Sequence, residues 1–305
     1  MYMAEMSTTI KDAWIFPQTA THWGTPGKVR QAVADSLDEL VKLSSGGIRE
    51  SEKGDRRYEQ VSKEQVICGN GAAELIYTLI LALRPRQALV LAPTFAEYEQ
   101  ALENLGCQVD YYGLKRECSF QPQSDFFDRL TPQVDVVFLC NPNNPTGLLL
   151  EREFLERVLD ICGRHQTMLV VDECFLDFVK EPKKYSLKEE LSENPHLFLL
   201  KAFTKRYAMA GVRLGYGLCQ NFDLLERMGR MTQPWNLSVI AQKAGIAALE
   251  EEDYVRRGRQ IVFQEIERMK QEFQKLGLKT YDSQANYLFF EGPKDLWRSA
   301  WTREF

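Results

Sequence analysis

Short apolar runs alternate along this chain with stretches whose apolar positions recur at helical spacing. Runs at Val66 to Cys68, Ala88 to Ala92, Val109 to Tyr112, Val134 to Cys140, Met168 to Val171 and Leu197 to Leu200 read as strands. Helical patterns fall between them at Ala72 to Leu83, Ala96 to Leu105 and Glu151 to Cys162. Alternation of this kind predicts an α/β fold, a three-layer sandwich with a mostly parallel central sheet covered by helices on both faces. Functional sites in such folds collect at the carboxyl ends of the strands. Upstream, Thr25 and Pro26 offer a cap and first turn for a helix whose Val29, Ala32, Val33, Leu37, Leu40 and Val41 share a face that should lie on the core. From Phe222 the pattern turns helical, with a charged amphipathic stretch from Tyr254 to Leu276. Two short strand candidates follow, at Leu278 to Tyr281 and Asn286 to Phe290. The chain therefore divides into an atypical N-terminal segment (1–60), a large domain (61–250), and a connecting helix with an incomplete small α+β domain (251–305).

Composition narrows the class of partner. With 305 residues, 44% hydrophobic and 27% charged, the chain can bury a sizeable core. Lys and Arg number 38 against 43 Asp and Glu, a net charge of -5, which gives no bulk attraction for nucleic acid or an anionic membrane. A small-molecule substrate is the default. The cysteines at 68, 107, 118, 140, 162, 174 and 219 form no Cys-x-x-Cys pair, as expected of reduced thiols in a cytoplasm. His22, His165 and His196 are too far apart in sequence to suggest a metal cluster, and no metal is expected. The apolar stretches are far shorter than a membrane span, and the N-terminus lacks a basic segment followed by an apolar one. The expectation is a soluble, cytoplasmic protein.

The candidate chemistry sits at the strand ends. Lys205 lies in Lys201-Ala202-Phe203-Thr204-Lys205-Arg206-Tyr207, between apolar stretches, with a hydroxyl just before it and Arg213 eight residues after. A hydroxyl and a guanidinium can hold a phosphate while the amine forms a Schiff base. After Val66 to Cys68 comes Gly69-Asn70-Gly71-Ala72-Ala73-Glu74, a small-residue turn opening a helix, where free N–H groups favour a phosphate. It is not a dinucleotide fingerprint, since Glu74 stands where the third glycine belongs. Phe95 follows the next strand and can stack on a cofactor ring. The turn Asn141-Pro142-Asn143-Asn144-Pro145-Thr146-Gly147 is the most specific signal, with asparagine amides able to donate to a phenolate oxygen or a carboxylate. Asp172 and Glu173 end a strand, where a carboxylate can pair with a protonated ring nitrogen. Taken singly, most of these features fit a bland reading as well: a surface lysine, a bare glycine turn, a core phenylalanine, a solvated pair of carboxylates.

Taken together, the order Gly71-Ala72-Ala73, Phe95, Asn144, Asp172, Thr204-Lys205 and Arg213 resembles the aspartate aminotransferase superfamily of pyridoxal phosphate enzymes, fold type I, from about Val61 to Phe290. The resemblance implies pyridoxal 5′-phosphate as cofactor and Lys205 as the residue that links to it. Asp172 would bind the pyridine nitrogen and Asn144 the phenolic oxygen, Phe95 would stack on the ring, and Gly71, Ala72, Ala73, Thr204 and Arg213 would form the phosphate site. It also implies a homodimer and a phosphorylated amino acid substrate. Two branches are nearest: the threonine-phosphate decarboxylases of cobalamin synthesis and the histidinol-phosphate aminotransferases. Phe95-Ala96-Glu97-Tyr98, Asp172-Glu173-Cys174-Phe175, Thr204-Lys205-x-Tyr207 and Gln233-Pro234-Trp235 resemble the decarboxylase versions, and the aminotransferase branch usually has tyrosine where Phe175 stands. Decarboxylation is therefore set ahead of transamination.

Three stretches depart from the family pattern. Ile15 to Gly24 replaces Asp-Phe-Ser-x-Asn-x-Asn-Pro-Leu-Gly, Lys42 to Arg57 replaces a Tyr-Pro element and a helix, and the ending Trp297 to Phe305 lacks the family's arginines for the substrate carboxylate. Codons for Thr21-His22-Trp23-Gly24 read one nucleotide earlier can spell Asn-Pro-Leu-Gly, and those for Leu43-Ser44, displaced by one nucleotide, can spell Tyr-Pro. Frameshifts, and a non-catalytic remnant as a third functional reading, follow as expectations.

Overall fold

The computed structural model describes residues 13–17, 24–41 and 59–293. Strands β2 (Val66–Gly69), β3 (Gln87–Ala92), β4 (Gln108–Gly113), β5 (Val136–Cys140), β6 (Met168–Asp172), β7 (Leu197–Ala202) and β8 (Gly215–Cys219) form one sheet in the order β2-β8-β7-β6-β5-β3-β4. All run parallel except β8, which is antiparallel to both neighbours. The carboxyl ends of β2, β3, β5, β6 and β7 and the start of β8 consequently share one edge. Gly69 and Ala202 both register with Gly215 there, and Cys140 registers with Asp172.

Period-two alternation within apolar strands makes the three layers. Val90, Phe138, Val170, Phe198 and Leu200 pack on one face against Leu75, Ile76 and Leu79 of one helix, Tyr98 and Leu102 of a second, and Leu224 and Met228 of a third. These helices are Ala72–Leu83, Ala96–Asn104 and Phe222–Met231. Leu89, Leu91, Val137, Leu139, Leu169, Val171, Leu197 and Leu199 face the other way, onto Leu155, Val158 and Leu159 of helix Arg152–His165 and onto Val29, Ala244 and Ala248.

A second, three-stranded antiparallel sheet is ordered β1-β10-β9, from Ala13–Pro17, Tyr287–Glu291 and Lys279–Thr280. The N-terminal segment, atypical in sequence, contributes an edge strand, with Trp14 in register with Phe290. The long helix Glu252–Lys275 lays Val262, Ile266 and Met269 against Leu288 of β10 and Phe178 of the large sheet's loops. Residues 18–23, 42–58 and 294–305, which carry much of the expected departures, lie outside the described residues.

The first helix corrects the sequence expectation twice. It spans Gly27–Asp35 and ends where the Ser36 hydroxyl donates to the Val33 carbonyl. Of the proposed apolar face, Val29 is buried and Val33 packs against the core, while Leu37, Leu40 and Val41 lie outside the helix and are exposed. Thr25 does not cap it; its hydroxyl donates instead to the Ala208 carbonyl, 2.8 Å away, in the loop after Lys205. Among the described residues no helix is long and apolar enough to cross a membrane, and no His, Cys, Asp and Glu side chains cluster as metal ligands.

Candidate functional site

The Gly69 to Glu74 turn makes a cradle. Gly71 has φ +80°, a conformation only glycine adopts without strain, and its N–H donates to the Gly69 carbonyl at 2.8 Å. A Cβ on Gly71 would stand 2.4 Å from Nη2 of Arg213, so no larger residue fits beneath that guanidinium. Gly215 lies equally close to the next peptide: a Cβ there would come within 2.6 Å of the Ala72 nitrogen. Ala72 and Ala73 open a 12-residue helix and present first-turn N–H groups beside the Arg213 cation. Arg213 is exposed at φ +58°, with Nη1 donating only a long bond to the Ala210 carbonyl at 3.4 Å. Glu74, at the place of the missing third glycine, holds the turn together by accepting from the Asn70 N–H at 2.6 Å and from Asn236 Nδ2 at 2.8 Å.

The asparagine-proline turn sorts its amides. Asn141 is fully buried, accepting from the Leu150 N–H at 2.8 Å and donating to the Tyr185 carbonyl at 3.3 Å. Asn143 accepts from the Thr94 hydroxyl at 2.8 Å and donates to the Pro93 carbonyl and to Thr146. Asn144 is half-buried and, among the described residues, its amide has no side-chain hydrogen bond. It is the member of the turn left free to serve a ligand. The small sheet grips this turn from behind: the Gln284 N–H donates to the Gly147 carbonyl at 2.7 Å and the Tyr287 hydroxyl to the Asn143 carbonyl at 2.8 Å.

Asp172 and Glu173, adjacent in sequence, go to different neighbourhoods. Asp172 is buried; Oδ2 accepts from the Tyr98 hydroxyl at 2.5 Å and Oδ1 from the Cys174 N–H at 2.9 Å. Burial raises its pKa, and the hydrogen bonds from Cys174 and Tyr98 reduce that shift without reversing it. Glu173 turns away, accepting from the Ser186 hydroxyl and pairing with Lys201 at 2.8 Å. Lys205 sits in the short helix Phe203–Arg206, its Nζ 5.8 Å from the centroid of the Phe175 ring. Burial lowers its pKa, Cys174 acts in the opposite sense, and Arg213 lowers it further. Among the described residues no carboxylate pairs with it. The Thr204 hydroxyl is likewise without a hydrogen bond among the described residues, and Phe95 is half-buried, edge-on to Tyr98 at 5.4 Å.

Gly71, Ala72, Ala73 and Arg213 thus converge on one cradle, and Phe95 and Asp172 meet through Tyr98. Lys205 reaches the same shelf through Phe175, whose ring meets Tyr287 edge-on at 5.1 Å. Tyr98, Cys174 and Tyr287 are the neighbours that residue-by-residue reading did not single out for the site. Only Tyr98 carried a signal, as an aromatic one turn after Phe95 on an apolar helix face. Together the groups offer an anion cradle, a buried carboxylate, an uncommitted amide and an amine biased toward its neutral form. A phosphorylated pyridine aldehyde fits this set: the glycine turn sets first-turn N–H groups beside a guanidinium, and among the described residues the Asn144 amide and the Lys205 amine have no hydrogen-bond partner.

A family model described as aminotransferase class I and II matches residues 35–304. A threonine-phosphate decarboxylase of Salmonella typhimurium is 35% identical over 266 residues, covering 87% of this chain and 72% of the relative. A histidinol-phosphate aminotransferase of Desulfitobacterium hafniense is 32% identical over 279 residues, covering 88% of this chain and 74% of the relative. The crystal structure of a histidinol-phosphate aminotransferase from Sinorhizobium meliloti, in complex with pyridoxal 5′-phosphate, superposes with a TM-score of 0.80 at 18% identity, over 88% of this chain and 72% of that one. At that identity it shows a common fold.

Proposed function

Since the chain belongs to the aminotransferase class I and II family, we propose that it decarboxylates threonine phosphate, or a close phosphorylated amino acid, at Lys205. It is a pyridoxal phosphate-dependent enzyme, and its cofactor is pyridoxal 5′-phosphate. When bound, the cofactor supplies an electron sink for charge developing at the substrate's alpha carbon. The residues of this chain do the rest. Ala72, Ala73, Thr204 and Arg213 would hold the phosphate, and Gly71, having no side chain, lets the Arg213 guanidinium lie against the turn. Phe95 would lie against the ring, Asn144 would donate to the phenolic oxygen, and Asp172 would accept from the ring nitrogen. Lys205 would hold the cofactor through its amine and would carry a proton at the substrate's alpha carbon. Its lowered pKa favours the neutral amine that the linkage requires.

The observation that carries decarboxylation ahead of transamination is Phe175, beside Lys205 and without a hydroxyl. It leaves Asn144 to serve the phenolic oxygen, matching the decarboxylase pattern, and a decarboxylase stands among the relatives at 35% identity. Transamination of a histidinol-phosphate type remains the second reading, because a relative of that activity is 32% identical over a similar length. The large domain (61–250) and the connecting and small part (251–305) act together on this reading. The protein works in the cytoplasm as a homodimer on small molecules, with no nucleic-acid or membrane partner.

The test is to add pyridoxal 5′-phosphate and threonine phosphate to the purified chain and to Lys205→Ala. Carbon dioxide released only by the chain with Lys205 supports decarboxylation. Amino transfer to an added oxo-acid, without carbon dioxide, replaces it with the aminotransferase. A folded chain with no lysine-dependent absorbance change is a non-catalytic remnant.

A further inference from the structure

We infer that Tyr98 is a positioning residue for the proposed reaction, its phenol holding one oxygen of Asp172 so that the carboxylate faces the cofactor's ring nitrogen. The inference rests on the cofactor reading above and adds a residue and a task to it.

Three observations carry it. Tyr98 is wholly buried, one turn into helix Ala96–Asn104, and its phenol is its only polar group, so where that hydroxyl bonds is a decision of the fold. It donates at 2.5 Å to Asp172 Oδ2 while the Cys174 N–H holds Oδ1 at 2.9 Å. Two donors on different oxygens fix the plane of the carboxylate and leave a lone pair on each oxygen for a further donor. The ring is also clamped, stacked on Phe138 of β5 with centroids 5.0 Å apart and a 22° interplanar angle, and edge-on to Phe95. Phe95 is the residue proposed to lie against the cofactor ring, so one helix turn sets both the ring contact and the carboxylate.

The need for such a donor follows from the surroundings. The groups facing Asp172 are Tyr98 from its helix, Cys140 from β5, Cys174 from the following loop and Tyr287 from β10. None of them is a cation. A buried carboxylate without a cation drifts toward its neutral form, and a neutral carboxyl cannot accept a proton-bearing ring nitrogen as an ion. Hydrogen bonds must hold it ionised, and Tyr98 supplies one. The phenol stays a donor throughout, because burial and the neighbouring Asp172 charge push its own pKa well up.

The test uses pyridoxal 5′-phosphate labelled with nitrogen-15 in the ring, bound to the wild-type chain, to Tyr98→Phe, and to a chain with 3-fluorotyrosine at position 98. Phenylalanine keeps the stacked ring and deletes the donor. The nitrogen signal should move toward the unprotonated position in Tyr98→Phe, and cofactor affinity should fall on the order of ten-fold, the scale of one hydrogen bond to a charged group. The acid-side pH at which binding is lost should rise, because Asp172 then protonates more readily. Fluorotyrosine, a stronger donor of the same shape, should shift that pH downward. A nitrogen position and pH course that are the same in all three chains overturn the inference while leaving the cofactor reading intact. A wild-type chain that leaves the label at its free position overturns the cofactor reading, and the inference with it. If Tyr98→Phe does not fold, the fluorotyrosine chain decides: no shift from wild type is a failure.

Discussion

Lys201 and Lys205 are four residues apart on either side of the end of β7, and the fold makes opposite groups of them. Lys201 is locked into a buried network: its amine lies 2.8 Å from Glu173 and 3.8 Å from Glu59. Glu59 is held in turn by Lys188 at 3.2 Å and the Tyr216 hydroxyl at 2.5 Å. Burial alone would lower the Lys201 pKa, but the two carboxylates overcome it and the net shift is upward. Lys205 is less deeply buried but has no carboxylate to offset its desolvation, and its pKa falls. One lysine is a paired structural cation, and the other has no carboxylate partner among the described residues. The difference lies in which way the two carboxylates at the end of β6 point, Glu173 to Lys201 and Asp172 to Tyr98 and the proposed site.

The largest effect that can break this contrast is loss of the available amine. Lys205→Ala should abolish the absorbance change on adding pyridoxal 5′-phosphate and all carbon dioxide release. Its thermal midpoint should stay close to wild type, since no ion pair among the described residues is lost. The mirror substitution, Lys201→Met, should leave the absorbance change in place. If Lys201→Met removes the band and Lys205→Ala keeps it, the assignment of the two lysines is reversed. Next, Asp172→Asn removes the charge on the site side while keeping an acceptor for Tyr98. Turnover should fall on the order of a hundred-fold, the scale of removing a placed electrostatic partner, with the unfolding midpoint little changed. A variant as active as wild type would remove Asp172 from the mechanism.

Glu173 breaks the other half. Its side chain is wholly buried against Lys201 and Ser186. Glu173→Gln leaves a buried ammonium short of its nearest countercharge, which should cost about 3 kcal/mol in urea unfolding. Adding Lys201→Met should recover much of that loss, since removing both charges leaves neither unpaired, while Glu59 keeps Lys188. Equal losses in the single and double variants would mean that Ser186 and the loop, rather than the ion pair, account for the cost.

This contrast also marks what could be read from the sequence. The strands were legible because apolar strands of a covered sheet have sharp ends, and the proposed site residues Gly71, Asn144, Asp172 and Lys205 lie at or shortly after those ends. The small sheet was visible as two strands, and its third, β1, was not. Ala13 to Pro17 has no distinctive pattern until β10 is present to pair with it. The first helix misled, because Leu37, Leu40 and Val41 continue a helical spacing past Ser36, whose hydroxyl bonds back to Val33 and ends the helix. By residue type Asp172 and Glu173 are equivalent neighbouring carboxylates, and it was the family resemblance that singled out Asp172. In the structure their partners separate them, Tyr98 for one and Lys201 with Ser186 for the other. Glu59 was invisible because its partners lie 129 to 157 residues further on.

The smallest effect sharpens the comparison through its sign. Lys201 has a folded pKa above its ordinary 10.5, so the stability it contributes is fully present below pH 10.5 and is lost as pH rises through the folded value. Lys205 has a folded pKa below 10.5, so the unfolded chain binds more protons between the two values. Its burial penalty is therefore present at neutral pH and relieved as pH rises toward 10.5. Unfolding free energies from urea titrations should show the Lys205 contribution rising with pH up to 10.5 and the Lys201 contribution flat there and falling only above it. The advantage of Lys205→Met over wild type should shrink as pH rises toward 10.5, while the deficit of Lys201→Met should hold steady there and shrink only above it. Lys205 is partly open to solvent, so its slope should be shallow and weaken further with salt. A Lys205→Met advantage that grows with pH would mean that the amine is stabilised as a cation in the folded chain. Lys205 would then resemble Lys201, and its availability as a nucleophile at neutral pH would need another cause.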